Sequence, residues 1–226
     1  MTELKFRERI ENAPDVYSFI FEKPKDFNWI AGQFIQVTFP HDNPDDRGIK
    51  RFFSISSAPF EKIVMVTTRI EINNGSSFKK AFYGIKPEMM VECTVPSGKL
   101  IITRQDKKII FVAGGIGITP IRSIILDLDN NNKLQNIDLL YSNRDDNLPF
   151  KNEFNDKKER NSTFNIYYFI NPDRISEETI DKIFSEFPDC YAFISGPPGL
   201  VKGVEELFIL KGLPKESIRT DYFPGY

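Results

Sequence analysis

The chain has 226 residues, of which 40% are hydrophobic, 27% charged and 13% aromatic. This composition excludes a disordered chain and predicts a globular protein with one large domain or two small ones. The formal net charge of −2 provides no basic field for nucleic acid or an anionic membrane, and no apolar run approaches the roughly twenty residues of a membrane span.

The few cysteines and the single histidine exclude further classes of protein. Cys93 and Cys190 are far apart and lack a metal-ligand spacing, which favours a reducing cytoplasm and argues against an iron–sulfur or zinc site in this chain. Residues 1–5 lack the apolar core of a signal peptide. His41 lies in a polar loop and is expected on the solvated surface, so a Ser-His-Asp hydrolase is disfavoured.

The first half of the chain has the pattern of short strands. Five runs alternate or are rich in β-branched and aromatic residues, and turns with Gly, Pro, Asn or Asp separate them. These runs cover residues 16–21, 33–39, 51–56, 63–70 and 90–95. About six such strands predict a closed antiparallel Greek-key β-barrel, in which no sheet edge is exposed.

The third run contains the first candidate site, at residues 51–54. Arg51 offers a planar guanidinium that suits phosphate oxygens, Phe53 offers a ring for a flat partner, and Ser54 offers a hydroxyl. Together they fit a flat cofactor that carries phosphates. An ordinary strand with an exposed arginine is the alternative interpretation of this run.

A short helix is predicted at residues 78–83, with Ser76 or Ser77 as its N-cap and Gly75 permitting close backbone approach. Free N–H groups at the start of a helix bind anions, so this turn is a second candidate phosphate site in the same barrel. A plain capped helix is the alternative.

The second half alternates strands with helices, which predicts a doubly wound parallel sheet. Residues 109–113 form the continuous apolar run of a buried parallel strand, and strand-like runs follow at 137–141, 166–170, 191–194 and 217–223. Helices are predicted to begin near Ile118, Ser176 and Pro198. The charged stretch 104–108 divides the chain into predicted domains 1–105 and 106–226.

Three loops of the second half leave the carboxyl ends of parallel strands, where ligands bind in such sheets. The turn from Gly114 to Pro120 lies between a strand and a helix, an arrangement that carries a pyrophosphate on backbone N–H groups. It is neither a G-x-G-x-x-G motif nor a P-loop. Arg144 follows the next strand and can meet an adenosine phosphate or adenine. The glycine-rich loop 195–199 lets a flat ring approach the backbone, so the three loops predict a dinucleotide site.

In this order, the motifs resemble those of the ferredoxin–NADP reductase superfamily, along nearly the whole chain. Residues 51–54 (RFFS) are similar to its Arg-x-Tyr/Phe-Ser flavin motif, and 75–77 (GSS) to its flavin pyrophosphate loop. Residues 114–120 (GGIGITP) resemble its nicotinamide-dinucleotide motif, 196–198 its late Cys-Gly-Pro motif, and 221–223 its acidic-x-aromatic ending. The cofactor-binding residues that the resemblance implies, with Arg144, are Arg51, Phe52, Phe53, Ser54, Gly75, Ser76, Ser77, Gly114, Gly115, Gly117, Thr119, Pro120, Gly196, Pro197, Phe223 and Tyr226.

The resemblance implies roles for these residues. The barrel would bind FAD and the α/β domain NAD(P)H, with a C-terminal tail that returns to the flavin. Arg51 would bind the flavin pyrophosphate, Phe53 would pack on the isoalloxazine, and Ser54 would hydrogen-bond near flavin N5. Thr119 would help to place the nicotinamide. Ser54, Phe53 and Asp221 are the implied catalytic residues, and no metal site is expected.

Some positions depart from the pattern of the superfamily. Ser195 stands where many members have a cysteine beside the nicotinamide, and Lys99 where an acidic residue is common. The tail, residues 224–226, runs past the usual terminal aromatic, so Tyr226 could cover the flavin or its adenine. Flavin reduction is expected to survive these changes.

The resemblance implies an FAD-dependent NAD(P)H oxidoreductase that passes electrons to a separate acceptor: a ferredoxin, a flavodoxin, free flavin or a ferric chelate. A non-catalytic flavin-binding electron-transfer or interaction subunit of a larger complex is the competing class. Arg144 and Arg174 favour a 2′-phosphate on the nucleotide, whereas Asp145 and Asp146 would repel one. The sequence therefore favours NADH slightly, with use of both nucleotides.

Overall fold

The computed structural model describes residues 1–73 and 75–223. Within them, an antiparallel six-stranded sheet is followed by a parallel five-stranded sheet with helices on both faces. The predicted fold class, a β-barrel followed by a doubly wound α/β domain, is confirmed. The predicted contact of Tyr226 with the cofactor lies outside the described residues.

The first sheet closes into a barrel. It is built from β1 (Thr2–Ala13), β2 (Val16–Glu22), β3 (Phe34–Thr38), β4 (Lys50–Ser54), β5 (Ile63–Arg69) and β6 (Met90–Cys93). The spatial order of these described strands is β4-β3-β6-β1-β2-β5. A bridge between Ile55 and Val66, and a 2.8 Å hydrogen bond from Ser56 N to Met65 O, join the two outer strands. Closure therefore pairs the backbone at both edges of the sheet.

The longest strand of the barrel, β1, is absent from the five predicted runs. Its buried side chains are Leu4 and Phe6, and the seven residues that follow them are exposed or only partly buried. Buried and exposed side chains therefore alternate over only a short part of β1. This pattern is too short to predict a strand among its many charged residues. Pairing with β2 and β6 on either side stabilises this segment instead.

A helix, α1 (Ser77–Tyr83), packs into the barrel core. Phe78 and Phe82 are four residues apart, so they share one face of the helix, and both are fully buried. The Phe82 ring lies 4.4 Å from that of Phe19 and 5.7 Å from that of Phe53. Burial of each ring contributes about 1.5–3 kcal/mol, which fixes the helix beside β4. The predicted cap is confirmed, because Ser76 Oγ accepts a hydrogen bond from Lys79 N.

The second sheet is parallel, and its helices cover both faces. Its strands are β7 (Lys108–Gly114), β8 (Ile137–Asn143), β9 (Phe164–Ile170), β10 (Cys190–Gly196) and β11 (Ile218–Tyr222), in the spatial order β11-β10-β7-β8-β9. The helices are α2 (Ile118–Asn130), α3 (Lys151–Arg160), α4 (Glu177–Glu186) and α5 (Pro198–Leu210). Helices α2 and α3 pack on one face over Phe111, and α4 and α5 on the other over Ile110.

This topology opens a crevice at the carboxyl edge of the sheet. Strands β7 and β10 are neighbours, yet the helices that follow them lie on opposite faces. The loops after these two strands therefore diverge, and such a switch point is where open parallel sheets bind ligands. None of the helices in the described part of the chain has the length and apolar character needed to span a bilayer.

The connection between β6 and β7 contains the predicted domain boundary at residues 104–108. Leu100 of this connection and Ala31 of the barrel pack into the core of the second sheet, so the two domains share an apolar contact. The division into residues 1–105 and 106–226 stays a prediction.

Candidate active site

A cleft of about 980 Å³ separates the barrel from the carboxyl edge of the parallel sheet. This volume is at the upper end of the range for small-molecule and cofactor sites, roughly 300–1,000 Å³. Residues of both domains line it. The predicted site residues among them are Arg51, Phe52, Phe53, Ser54, Gly75, Gly114, Gly115, Arg144, Pro197 and Phe223.

The cleft is positively charged, although the chain as a whole has a formal net charge of −2. Five cationic side chains line it, against two carboxylates, Glu71 and Asp173. The cations are Arg51, Arg69, Lys79, Arg144 and Arg174. A concave site with such a charge raises the local concentration of anionic ligands, as a phosphate-bearing cofactor requires.

Arg51 lies on the inward side of β4 and is 4% exposed. Its Nη1 donates to the carbonyl oxygens of Arg47, Gly48 and Lys50, and its Nη2 donates to Asp45 Oδ1 at 2.8 Å. Its Nε is buried and has no hydrogen-bond partner among the described residues. A buried guanidinium with an unused N–H, in the wall of a cationic cleft, fits the binding of a phosphate.

Asp45 connects Arg51 to the start of α1. Its Oδ1 also accepts from Arg47 N at 3.0 Å, and its Oδ2 accepts from Ser77 N at 3.2 Å. Burial raises the pKa of Asp45, but the hydrogen bonds from Arg51 and the Arg47 backbone outweigh it and hold the pKa at about 2. The Asp45 carboxylate therefore connects the loop before β4 to Arg51 and to the start of α1, which are the two predicted phosphate sites of the barrel.

The hydroxyl of Ser77 is used inside the protein. It accepts from Asp45 N at 2.8 Å and lies 3.0 Å from His41 Nε2. His41 is half-buried, and its other ring nitrogen lies 2.9 Å from Phe39 O. The prediction that His41 is a solvated surface residue is therefore wrong: its ring joins the end of β3 to the start of α1. Sequence alone gives no sign of this contact, which joins residues 36 positions apart.

Arg69 and Lys79 are cleft residues that the sequence analysis missed. Lys79 Nζ donates to Arg69 O at 2.9 Å, so the end of β5 and α1 meet in the cleft wall. Burial, and next the charges of Arg47 and Arg51, lower the pKa of Lys79 to about 8. The sequence did contain a signal for Lys79. It is the third residue after the capping Ser76 and directly follows the buried Phe78, so it lies in the first turn of α1, beside the predicted phosphate site.

The remaining predicted residues of β4 are Phe52, Phe53 and Ser54, and all three line the cleft. Phe53 is buried against Phe78 and Phe82, whereas Phe52 points outward, is 60% exposed and packs edge-on against Phe34. The next side chain, Ser54, is buried at the cleft.

Ser54 also contacts the second domain. Its hydroxyl donates to Asp221 Oδ2 at 3.3 Å. Burial raises the pKa of Asp221, and this effect exceeds the opposing hydrogen bonds from Ser54 and from Tyr222 N–H. The pair thus places a proton-accepting carboxylate with raised pKa behind a hydroxyl that faces the cleft.

The glycine-rich turn after β7 packs directly on the last two residues of β10. A Cβ on Gly117 would lie 2.3 Å from Ser195 O and 2.6 Å from Gly196 Cα, so this position requires glycine. Ser195 Oγ is buried and has no hydrogen-bond partner among the described residues. Ser195 therefore keeps an unused polar atom at the switch point between β7 and β10.

Some predicted residues support the cleft from outside its lining. Thr119 is fully buried, and its hydroxyl donates to Ile116 O at 3.0 Å, so it stabilises the turn. The predicted residues of the described chain that do not line the cleft are Ser76, Ser77, Gly117, Thr119, Pro120, Gly196 and Asp221.

Arg144 and Arg174 line the cleft, but the carboxylates beside Arg144 do not. Asp145 Oδ1 accepts from Asn147 N at 3.0 Å, and its Oδ2 accepts from Arg144 Nε at 3.2 Å. The Asp145 carboxylate therefore caps its own loop, which weakens the argument that it repels a phosphate.

Comparisons with known proteins agree with this geometry. Residues 111–206 match the family described as the oxidoreductase NAD-binding domain. Flavohemoprotein A of Dictyostelium discoideum is 24% identical over 232 residues, which cover 95% of this chain and 58% of that protein. The chain spans about half the length of the curated flavohemoproteins that it matches.

Solved structures share the fold along the whole chain. A ferredoxin NADP⁺ reductase from Neisseria gonorrhoeae with bound FAD and NADP has a TM-score of 0.82 at 19% identity, covering 98% of both chains. The flavohem-like FAD/NAD-binding domain of nitric oxide dioxygenase from Vibrio cholerae O1 biovar El Tor also has a TM-score of 0.82 at 19% identity, covering 99% of this chain and 98% of that one.

These findings confirm the resemblance inferred from the motifs. The chain shares the two-domain fold of these ferredoxin NADP⁺ reductase and nitric oxide dioxygenase structures, and residues 111–206 of its second domain match an oxidoreductase NAD-binding domain.

Proposed function

We propose that this protein is an FAD-dependent NAD(P)H oxidoreductase that passes electrons to a separate acceptor. The observation that carries the proposal is the cationic cleft, which Arg51 and Ser54 of the barrel line on one side and Gly114 and Gly115 on the other. A flavin held by the barrel and a nicotinamide held by the parallel sheet would meet in it. The proposal assigns FAD to residues 1–105 and NAD(P)H to residues 106–226.

Each group of residues has a separate task. Arg51 and Lys79 would bind phosphate oxygens of the flavin, Phe53 would support its ring, and the Ser54 hydroxyl, which donates its proton to Asp221, would accept a hydrogen bond at the flavin edge. The turn at Gly114 and Gly115 offers backbone N–H groups to the pyrophosphate of the nicotinamide dinucleotide. The flavin supplies the redox chemistry, since it accepts a hydride and releases electrons singly or as a pair. The protein contributes orientation, because transfer requires the two rings in contact.

Asp221 acts through Ser54. Its carboxylate accepts the Ser54 hydrogen bond, so the lone pairs of that hydroxyl stay available to accept a hydrogen bond, and it can hold a proton because burial raises its pKa. The pair is therefore the proposed route for a proton that accompanies reduction.

The acceptor is proposed as a ferredoxin, a flavodoxin-like protein, free flavin or a ferric chelate. No three metal-ligating side chains of the described residues lie close enough together to hold a metal ion. A cytoplasmic location, expected from the cysteine usage, is part of the proposal, and cell fractionation tests it.

The deciding experiment is anaerobic mixing of the FAD-loaded protein with NADH or NADPH in a stopped-flow spectrometer. An oxidoreductase bleaches the visible flavin absorbance with at least one nucleotide within seconds. A non-catalytic flavin-binding subunit keeps its flavin oxidised with both, and that result would refute the proposal. Reduction followed by reoxidation with each candidate acceptor then ranks the acceptors.

A further inference from the structure

Arg122 is a charged side chain buried between the two domains. It lies in α2, one turn after Ile118, where the glycine-rich turn becomes the helix, and it is 6% exposed. Within its own domain it makes two bonds to Glu153 of α3: Nε donates to Oε2 at 2.7 Å and Nη2 to Oε1 at 2.9 Å.

The same guanidinium also reaches the barrel. Its Nη1 donates to Ser56 O at 2.7 Å and to Glu61 Oε2 at 3.0 Å, and its Nη2 donates to Glu61 Oε1 at 3.1 Å. The next residue of α2, Ser123, donates through Oγ to Ser57 O at 2.6 Å. The backbone contacts with the barrel thus fall two and three residues after Ser54 of β4.

The arrangement is poorly explained by stability alone. A buried ion pair must offset the loss of hydration of its charges, and well-packed apolar residues often stabilise a core as much. Here one guanidinium uses all three nitrogens in hydrogen bonds to both oxygens of two carboxylates and to one backbone carbonyl. Its planar shape, which lysine lacks, makes it suited to fixing a relative orientation.

We propose that Arg122 is a positioning residue that fixes the glycine-rich turn of the second domain relative to Ser54 of the barrel. This inference rests on the proposed function, because it concerns how closely the nicotinamide and the flavin are held. Glu61 and Ser56 provide the contact between domains, and Glu153 holds the guanidinium from the side of the second domain. Loss of the Glu61 contact loosens the angle between the two binding surfaces while each surface stays intact.

The two carboxylates supply a matched pair of variants. Glu61→Gln weakens a contact between domains, and Glu153→Gln weakens a contact of similar length within the second domain. The side-chain carbonyl that E61Q introduces can still accept the 2.6 Å hydrogen bond from Ala58 N, so the local turn is kept. We expect E61Q to slow flavin reduction at saturating nucleotide by about tenfold or more, because small displacements of reacting groups cost large factors in rate. E153Q should stay within about twofold of wild type at a similar melting temperature.

A second measurement is independent of turnover. Cysteines introduced at exposed Lys50 and Lys202 carry spin labels on the two domains, while native Cys93 and Cys190 are buried. The distance distribution between the labels should broaden in the E61Q background and stay narrow with E153Q. Arg122→Met should broaden it further, and Arg122→Lys should restore it in part.

Equal rates in E61Q and E153Q, or an unchanged distance distribution in E61Q, would overturn the positioning role. Failure of the proposed function is separate, since it shows as an absence of flavin reduction in the wild-type protein with both nucleotides. The label distances still test the positioning of the domains in that case.

Discussion

The hydroxyl of Ser54 donates to Asp221 Oδ2 at 3.3 Å, although the two residues are 167 positions apart in the chain. Ser54 ends β4 of the barrel, and Asp221 lies in β11, where it pairs with Ser195 of β10. The hydrogen bond therefore joins the flavin side of the cleft to the edge of the parallel sheet. Both residues belong to the proposed catalytic set, and because they are in contact, mutations of the two are expected to have coupled effects.

The first prediction concerns Ser54→Ala. The variant should retain FAD and reduce it about tenfold more slowly, because one net hydrogen bond contributes about 0.5–1.5 kcal/mol. Anaerobic single-turnover reduction measures this. Ser18→Ala is the matched control: Ser18 is a buried serine of the same barrel that hydrogen-bonds to Thr67 and does not line the cleft. Unchanged reduction in S54A, or equal slowing in S18A, would contradict the prediction.

The second prediction concerns Asp221→Asn and pH. Burial raises the pKa of Asp221 in the folded protein, so stability falls as the pH rises above the ordinary aspartate value of 3.8, and the cost is complete once the pH exceeds the raised pKa. The variant should therefore melt a few degrees higher than wild type at neutral pH. The difference should shrink as the pH falls and wild-type Asp221 takes up its proton. Thermal melts between pH 4 and 8 measure this difference. If the melting-temperature advantage of D221N grew as the pH fell, the pKa of Asp221 would be lowered by folding and not raised, and the prediction would be contradicted.

The third prediction concerns Arg51→Ala and flavin affinity. A charge-assisted hydrogen bond to phosphate contributes about 1.5–3 kcal/mol, so the FAD dissociation constant should rise by about tenfold or more. Lys50→Ala, which removes an exposed cation from the same strand, should change it by less than about twofold. Fluorescence titration of the apoprotein with FAD measures both. Comparable losses of FAD affinity in the two variants would show that Arg51 acts only through its positive charge and not through a specific hydrogen bond to phosphate.

The fold could be predicted largely from sequence because its signals are local. The apolar run of β7, the glycine-rich turn after it and the capped start of α4 each carry a pattern within a few residues. The first strand, β1, has no such pattern, since its neighbours in the sheet and not its own alternation stabilise it. Helix α3 likewise has one fully buried apolar residue, Phe154, in a run of charges.

The candidate site could be predicted in part. The chemistry of residues 51–54 and the strand–turn–helix pattern at Gly114 singled out Arg51, Ser54 and this turn, which the fold then brings to one cleft. The contacts of His41 and Arg122 depend on residues from distant parts of the chain, and no local pattern marks them. The sequence also showed Asp145 beside Arg144 but not the direction of its carboxylate, because that direction depends on the conformation of the loop, in which Asn147 N and Arg144 Nε bond to it.

The fourth prediction compares two glycines. In Gly117→Ala the new Cβ would collide with backbone atoms of Ser195 and Gly196, so the turn must move away from the end of β10. This variant should lose nucleotide-dependent flavin reduction by about a hundredfold or more, since the turn is displaced. Gly203→Ala adds its Cβ where nothing lies within 4 Å, in the middle of α5, and should raise stability by about 0.5–1 kcal/mol. Normal reduction by G117A would show that the loops tolerate the displacement.

The last prediction concerns the nucleotide. Two arginines of the second domain line the cleft, Arg144 and Arg174, whereas the Asp145 carboxylate is held by its own loop through Asn147 N and Arg144 Nε. The repulsion that favours NADH is therefore smaller than the sequence implies, and we expect use of both nucleotides with NADPH at least as effective as NADH. Because NADPH differs from NADH by a 2′-phosphate, Arg144→Ala should raise the KM for NADPH by about tenfold or more and that for NADH by less than about twofold.

Steady-state kinetics with both nucleotides measure this ratio. Arg160→Ala is the control, since Arg160 is an exposed cation at the end of α3 that does not line the cleft. Equal losses with the two nucleotides would mean that Arg144 stacks on the adenine ring, which NADH and NADPH share. A wild-type preference for NADH of a hundredfold or more, about 2.7 kcal/mol, would mean that Asp145 or Asp146 turns towards the bound nucleotide.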